Sequence, residues 1–155
     1  DQPRSRGLGD VYKRQDIVYE YPETEYYPAH SLLIEATLAD STNQRRMEME
    51  PVSRHLGRHL IRTGNLNSYC VFATTYLDIN VIADFRGRKH MPFYDTQDYT
   101  KSVPGMKIIS LQTSELKTII DNQKNYKQLY QIFNEAYISN LPPHMWYEEC
   151  IKNLL

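Results

Sequence analysis

The sequence predicts an α/β layer structure, and three observations carry that prediction. Short runs with strand character, DIVYEY, SLLIEATL, YCVFAT and MKIISL, alternate with stretches whose apolar residues recur at helical spacing. A length of 155 residues suits one domain with a core of ordinary size. With 41% hydrophobic and 24% charged residues, the composition excludes a disordered, collagen-like or membrane-spanning chain.

The elements follow in chain order. Residues 1–15, DQPRSRGLGDVYKRQ, carry no apolar period and prepare neither a strand nor a helix. Their GLGDVYKRQ portion resembles a translated adapter sequence found at the ends of reading frames assembled from environmental DNA; the alternative is a basic arm that touches phosphate. The domain is therefore expected over 16–155, as the N-terminally truncated part of a longer protein. Asp16 to Tyr21 alternates as a strand does, and the acidic stretch from Pro22 to Pro28 makes a loop or turn. Ser31 to Leu38 is a strongly apolar run with one carboxylate, the pattern of a buried central strand. Ser41, Thr42 or Asn43 can cap a helix from about Gln44 to Thr63, stopped by Gly64 and Asn65; Pro51 must kink it or open a fresh one.

Tyr69 to Thr74 is the next strand and Leu77 to Phe85 a short helix. Arg86 to Gly105, polar and punctuated by Gly and Pro, reads as a long surface loop. Met106 to Leu111 is a strand. Thr113 or Ser114 caps a helix to about Gln123, and further helices are expected from Asn125 to Ser139 and from Pro143 to Leu154.

Bulk charge gives no hint of a nucleic-acid partner, because 18 Lys and Arg balance 19 Asp and Glu. The two cysteines, Cys70 and Cys150, lack the spacing of a metal or redox motif and read as reduced thiols of a cytoplasmic protein. No apolar run reaches the length of a membrane span, and no signal peptide opens the chain. Gly-rich phosphate loops, serine elbows and cysteine–histidine dyads are missing, which removes those enzyme classes.

Three acids stand out by position: Asp16 at the head of a strand, Glu35 as the single charge of SLLIEATL, and Glu48 on the following helix. A carboxylate buried on a central strand costs several kcal/mol unless something neutralises it, and a hard divalent cation would do so. The alternative places Glu35 at a strand end, in solvent or beside an arginine. At about 100° per residue, Arg45, Glu48, Val52, His55 and His59 share one arc of the helix. Met49, Val52, Leu56 and Leu60 form an adjoining apolar seam, and Arg54, Arg58 and Arg62 a basic rib. Such a rib suits phosphate contact, or is a solvated face. The spacing of His55 and His59 matches paired zinc ligands on a helix, although buried or DNA-facing histidines fit it better.

The run LLIEATLADSTNQRRMEMEPVSRHLGRHL resembles the AlwI-like family of type IIS restriction endonucleases. Its carriers are Glu35-Ala36-Thr37, then Gln44, then Met47-Glu48-Met49-Glu50-Pro51-Val52-Ser53-Arg54-His55, with NSYCVFATTYLDINVIADFR and KIISLQTSELKTII as downstream support. The resemblance spans about 16–120. It implies a PD-(D/E)xK restriction-endonuclease-like core, a mixed central sheet flanked by helices, that hydrolyses double-stranded DNA with Mg2+, or Mn2+ as a substitute. By carry-over, Asp16, Glu35 and Glu48 are metal ligands and catalytic acids. Thr37 stands where the wider superfamily has lysine, which leaves activation of the water to Gln44, Arg45 or the metal. Glu20, Glu23 and Glu25 are fallback acids for Asp16. Gln44, Arg45, Arg54, His55 and Arg58 are the expected DNA contacts. The resemblance also implies a separate N-terminal recognition domain or a partner subunit, and a transient dimer for double-strand cleavage. The rival readings are a strand-nicking subunit and a DNA-binding domain that kept the fold without the chemistry.

Overall fold

The computed structural model describes residues 17–38 and 49–155. Asp16, Gln44, Arg45 and Glu48 lie outside the described residues, as do the caps proposed at Ser41, Thr42 and Asn43. Strands β1 (Ile17–Tyr21), β2 (His30–Thr37), β3 (Tyr69–Thr74) and β6 (Ile108–Gln112) form a four-stranded sheet in the order β1-β2-β3-β6. β1 pairs antiparallel with β2, whereas β2, β3 and β6 run parallel, so the sheet is mixed as expected. Helix α1 (Met49–Thr63) links β2 to β3, and α2 (Ile79–Gly87) lies between β3 and β6. A second, small sheet, β4 (Phe93–Tyr94) with β5 (Ser102–Val103), makes a hairpin in that same connection. The chain continues through α3 (Thr113–Asp121), α4 (Tyr126–Ile138), α5 (Pro143–Trp146) and a wide helical turn, Tyr147–Lys152.

Side chains alternate across a strand, so each residue's place in the register fixes its face. Leu33, Glu35 and Thr37 share a face with Cys70, Phe72 and Thr74. Helices α1 and α2 cover that face: His55 of α1 meets Glu35, and the Phe85 ring of α2 lies 5.1 Å from that of Phe72. The opposite face, with His30 and Tyr69, is covered by α4 through Tyr126 and Phe133. The three parallel strands end together at Thr37, Thr74 and Gln112. In open α/β sheets such aligned C-terminal ends are where ligands bind.

The apolar seam read from the sequence is the one that packs. Val52, Leu56 and Leu60 are buried against the sheet. Pro51 does not kink the described helix: it falls in the first turn, where its missing N–H deprives no carbonyl of a partner. Two starts differ from expectation: α2 begins at Ile79, two residues after the expected Leu77, and the α3 cap is Gln112, one residue before Thr113. Asp78 caps α2 through Asn80 N–H, and the backbone N–H of Gln112 donates to Glu115 at the head of α3.

The stretch expected as a loop holds more structure than its composition suggested. Its base is closed by the Met106 N–H donating to Arg88 O at 3.0 Å and by Gly105 lying against Lys89, where a Cβ would overlap the carbonyl. Neither cysteine forms a disulfide; Cys70 is buried and Cys150 partly so. Among the described residues no helix is long and apolar enough to cross a membrane.

Candidate active site

Glu35 is the single ionisable residue of β2 other than His30, and the fold buries it to 8% exposure. It sits two residues before the C-terminal end of the strand, next to Phe72 of β3 in the register. The apolar neighbours that make the strand central also exclude water from the carboxylate, so the charge needs a partner. His55 supplies one. Its Nδ1 lies 2.8 Å from Glu35 Oε2, close enough for the ring N–H to donate to the carboxylate. Both side chains are about nine-tenths buried. Of the alternatives open at the sequence level, solvent and arginine are replaced by a buried histidine.

The pair exists because of two periodicities. Alternation along β2 turns Glu35 toward the face that α1 covers, and the helical repeat puts His55 on the same side of α1 as Val52, Leu56 and His59. Thr37, partly buried, shares the face of Glu35 one strand repeat further on. His59 is also buried; its Nδ1 accepts from Arg62 at 3.0 Å. Burial, then the Arg62 charge, pulls its pKa below the ordinary value, with Glu20 acting in the opposite sense. The His59 Nε2 and Ser53 Oγ atoms are buried without a hydrogen-bond partner among the described residues. Glu20, a fallback acid, accepts from the Ser31 hydroxyl at 2.8 Å; Glu23 and Glu25 are exposed in the loop after β1.

The expected site residues thus divide. Glu35, Thr37 and His55 come together on the α1 side of the sheet. Arg54 and Arg58 leave α1 on another side and line a cleft facing the β4–β5 hairpin, where Arg54 is ion-paired with Glu50. His55 was expected among the DNA contacts; its place is beside the carboxylate. Among the described residues no group of three or more His, Cys, Asp or Glu is arranged to hold a metal ion, and Asp16 and Glu48 are not among them. What Glu35 offers is a hard oxygen donor with its orientation fixed by a histidine. That suits Mg2+, which takes one or two carboxylates and keeps several waters.

A second polar centre, not foreseen from the sequence, lies on the opposite face. His30 Nε2 is 2.6 Å from the Tyr126 hydroxyl, which is 2.9 Å from that of Tyr69. Lys107 Nζ sits 5.0–5.7 Å from the ring centres of Tyr69, Tyr130 and Tyr137. Burial pushes its pKa down to about 8. These residues are scattered from 30 to 137, so no local motif could have signalled them.

Comparison with known proteins gives a family match and matches among solved structures. The family of the AlwI restriction endonuclease matches residues 12–119. Among solved structures, the chain is similar to the small subunit (R.BspD6I2) of the heterodimeric restriction endonuclease R.BspD6I, with a TM-score of 0.56 and 20% identity. That alignment covers 77% of this chain and 59% of the subunit, so the chain spans somewhat over half the length of its structural relative. No curated protein matches.

Proposed function

The chain belongs to the AlwI restriction endonuclease family, and from that membership we propose that it is the Mg2+-dependent cutting domain of a type IIS restriction enzyme. It hydrolyses phosphodiester bonds of double-stranded DNA in a prokaryotic cytoplasm, with recognition left to a separate domain or subunit. The observation that carries this reading is the buried carboxylate of Glu35, held by His55 at 2.8 Å near the C-terminal ends of three parallel strands. Its apolar surroundings and fixed orientation suit an electrostatic task better than a packing one.

Glu35 would hold Mg2+ together with Asp16 and Glu48. Asp16 is the chain neighbour of Ile17, and Glu35 that of Ile34, the partner of Ile17 across the β1–β2 ladder. A bound ion supplies a polarised scissile phosphate and a more acidic water. His55 fixes which oxygen of Glu35 faces outward. Gln44 and Arg45 are candidates for positioning the water, since Thr37 has no amine to do it. Arg54 and Arg58 carry phosphate contacts away from the carboxylate.

A second reading, a strand-nicking subunit of a heterodimeric enzyme, draws on the neighbour named as the small subunit of such an enzyme. Conversion of supercoiled plasmid by the purified chain, with Mg2+ or Mn2+ and beside Glu35→Ala and Glu48→Ala, tests both. Metal-dependent nicking lost in both variants supports the nuclease. Products that stop at open circles favour the nicking subunit; linear products favour double-strand cleavage. Activity that survives Glu35→Ala rules out the site, and metal-independent DNA binding by a chain that never cuts favours the non-catalytic rival.

A further inference from the structure

A groove of about 1110 Å3 runs along α1, between its outward side and the β4–β5 hairpin. Arg54, Arg58 and Arg62 form one wall, and Lys101, Gln97 and Thr100 stand on the hairpin side. With successive arginines four positions apart and a rise of about 1.5 Å per residue, the arginines are strung over roughly 12 Å of helix. Arg58 and Lys101 are exposed and have no ion-pair partner among the described residues. The groove also holds two acids, Glu50 and Asp95. Glu50 is paired with Arg54, and Asp95 Oδ1 accepts the Gln97 N–H at 2.8 Å, so part of the negative charge is already engaged.

The hairpin wall is built to stand where it does. Phe93 packs directly on Gly57 of α1, at a position where any Cβ would overlap the ring. The hairpin tip is held by Asp95 N–H to Lys101 O at 2.9 Å and by Thr100 N–H to Asp98 Oδ1 at 3.1 Å. Glycine at 57 thus lets a second element close to contact distance and turns a flat basic rib into a groove.

We propose that this groove seats the sugar–phosphate backbone of one DNA strand, with Arg54, Arg58, Arg62 and Lys101 meeting its phosphates, an assignment that rests on the nuclease reading above. A row of cations fits a linear polyanion. A free nucleotide or inorganic phosphate would call for donors converging on one point, and here they are spread along a wall. Neutral hydrogen-bonding groups opposite, Gln97 and Thr100, add contacts to backbone oxygens that carry no sequence information.

The test is fluorescence anisotropy of a labelled duplex titrated with the full chain in Ca2+, at several salt concentrations. The variants are Arg58→Glu, Lys101→Glu and the conservative Arg58→Lys, with Lys117→Glu as a basic residue outside the groove. Circular dichroism checks that each is folded. Removing one phosphate contact lowers the salt slope by about one. Arg58→Glu and Lys101→Glu are therefore each expected to weaken binding roughly ten-fold with a shallower salt dependence. Lys117→Glu is expected to keep the wild-type slope, and Arg58→Lys most of the affinity. Folded Arg58→Glu and Lys101→Glu variants that bind as wild type overturn the assignment, as does a wild-type chain that does not bind. If the groove variants lose binding while no chain cuts, the groove stands and the nuclease reading falls. If cutting is intact and groove variants bind normally, the nuclease stands and the groove falls.

Discussion

Glu35 and His55 work as one unit. A carboxylate in an apolar strand interior is tolerated because a ring N–H meets one oxygen, and the same contact dictates how the other oxygen is presented. On the proposed reading, His55 is a positioning residue. Replacing it with Ala is expected to lower metal-dependent cutting about 10–100-fold, the usual cost of losing a group that orients a metal ligand. His55→Asn, whose amide N–H falls close to the position of Nδ1, should recover part of the rate. A plasmid-nicking series over Mg2+ concentration would check this: a deficit that shrinks as Mg2+ rises marks a ligand held less well. Glu35 was legible in the sequence as the lone charge of an apolar run. Its partner was not, because helical periodicity gives the side of α1 on which His55 lies and cannot say which strand atom its ring will meet.

At the scale of elements, α1 carries three jobs on two sides. Its seam of Val52, Leu56 and Leu60 packs on the sheet, His55 reaches the carboxylate, and its arginines wall the groove. Seam and rib were both visible as spacing four apart, since a long helix repeats its pattern often enough to be read. The β4–β5 hairpin was not: strands of two residues have no period, and their stretch looked like polar loop. Gly57 records the hairpin's presence. Ala is ordinarily better than Gly inside a helix by about 0.5–1 kcal/mol. At 57 the added methyl would overlap Phe93, and overpacking of this kind costs about 1–3 kcal/mol. Gly57→Ala is therefore expected to destabilise the protein in urea unfolding, and Gly57→Ala with Phe93→Ala to be more stable than the sum of the single changes implies. Strict additivity would mean that the two residues are not in contact.

Over the whole molecule, the two faces of the sheet carry different chemistry. One holds the carboxylate and its histidine; the other holds Lys107 among tyrosines, with His30 and Tyr126 hydrogen-bonded nearby. The second face has a consequence for pH. Burial depresses the Lys107 pKa to about 8 from an unfolded value near 10.5. Between those values the unfolded chain binds the proton and the folded chain does not, so stability contributed by this group rises with pH. Wild-type stability, followed through the fluorescence of the buried Trp146, should gain on that of Lys107→Met as pH goes from about 8 to 10. Above about pH 10 the raised pKa values of Tyr69, Tyr126 and Tyr147 pull the other way, because the unfolded tyrosines ionise first. A Lys107→Met curve parallel to wild type from pH 8 to 10 would show the amine to be solvated.

Whether Glu35 serves a divalent cation can be measured with neither DNA nor a recognition domain. Mn2+ titrated into the purified chain loses its free-ion electron paramagnetic resonance signal as it binds. Wild type and Arg58→Glu should take up Mn2+ alike, with uptake abolished by excess Mg2+, while Glu35→Ala should bind it at least about ten-fold more weakly. Equal uptake by Glu35→Ala and wild type would contradict a metal role for Glu35 and leave Glu35 and His55 a buried structural pair.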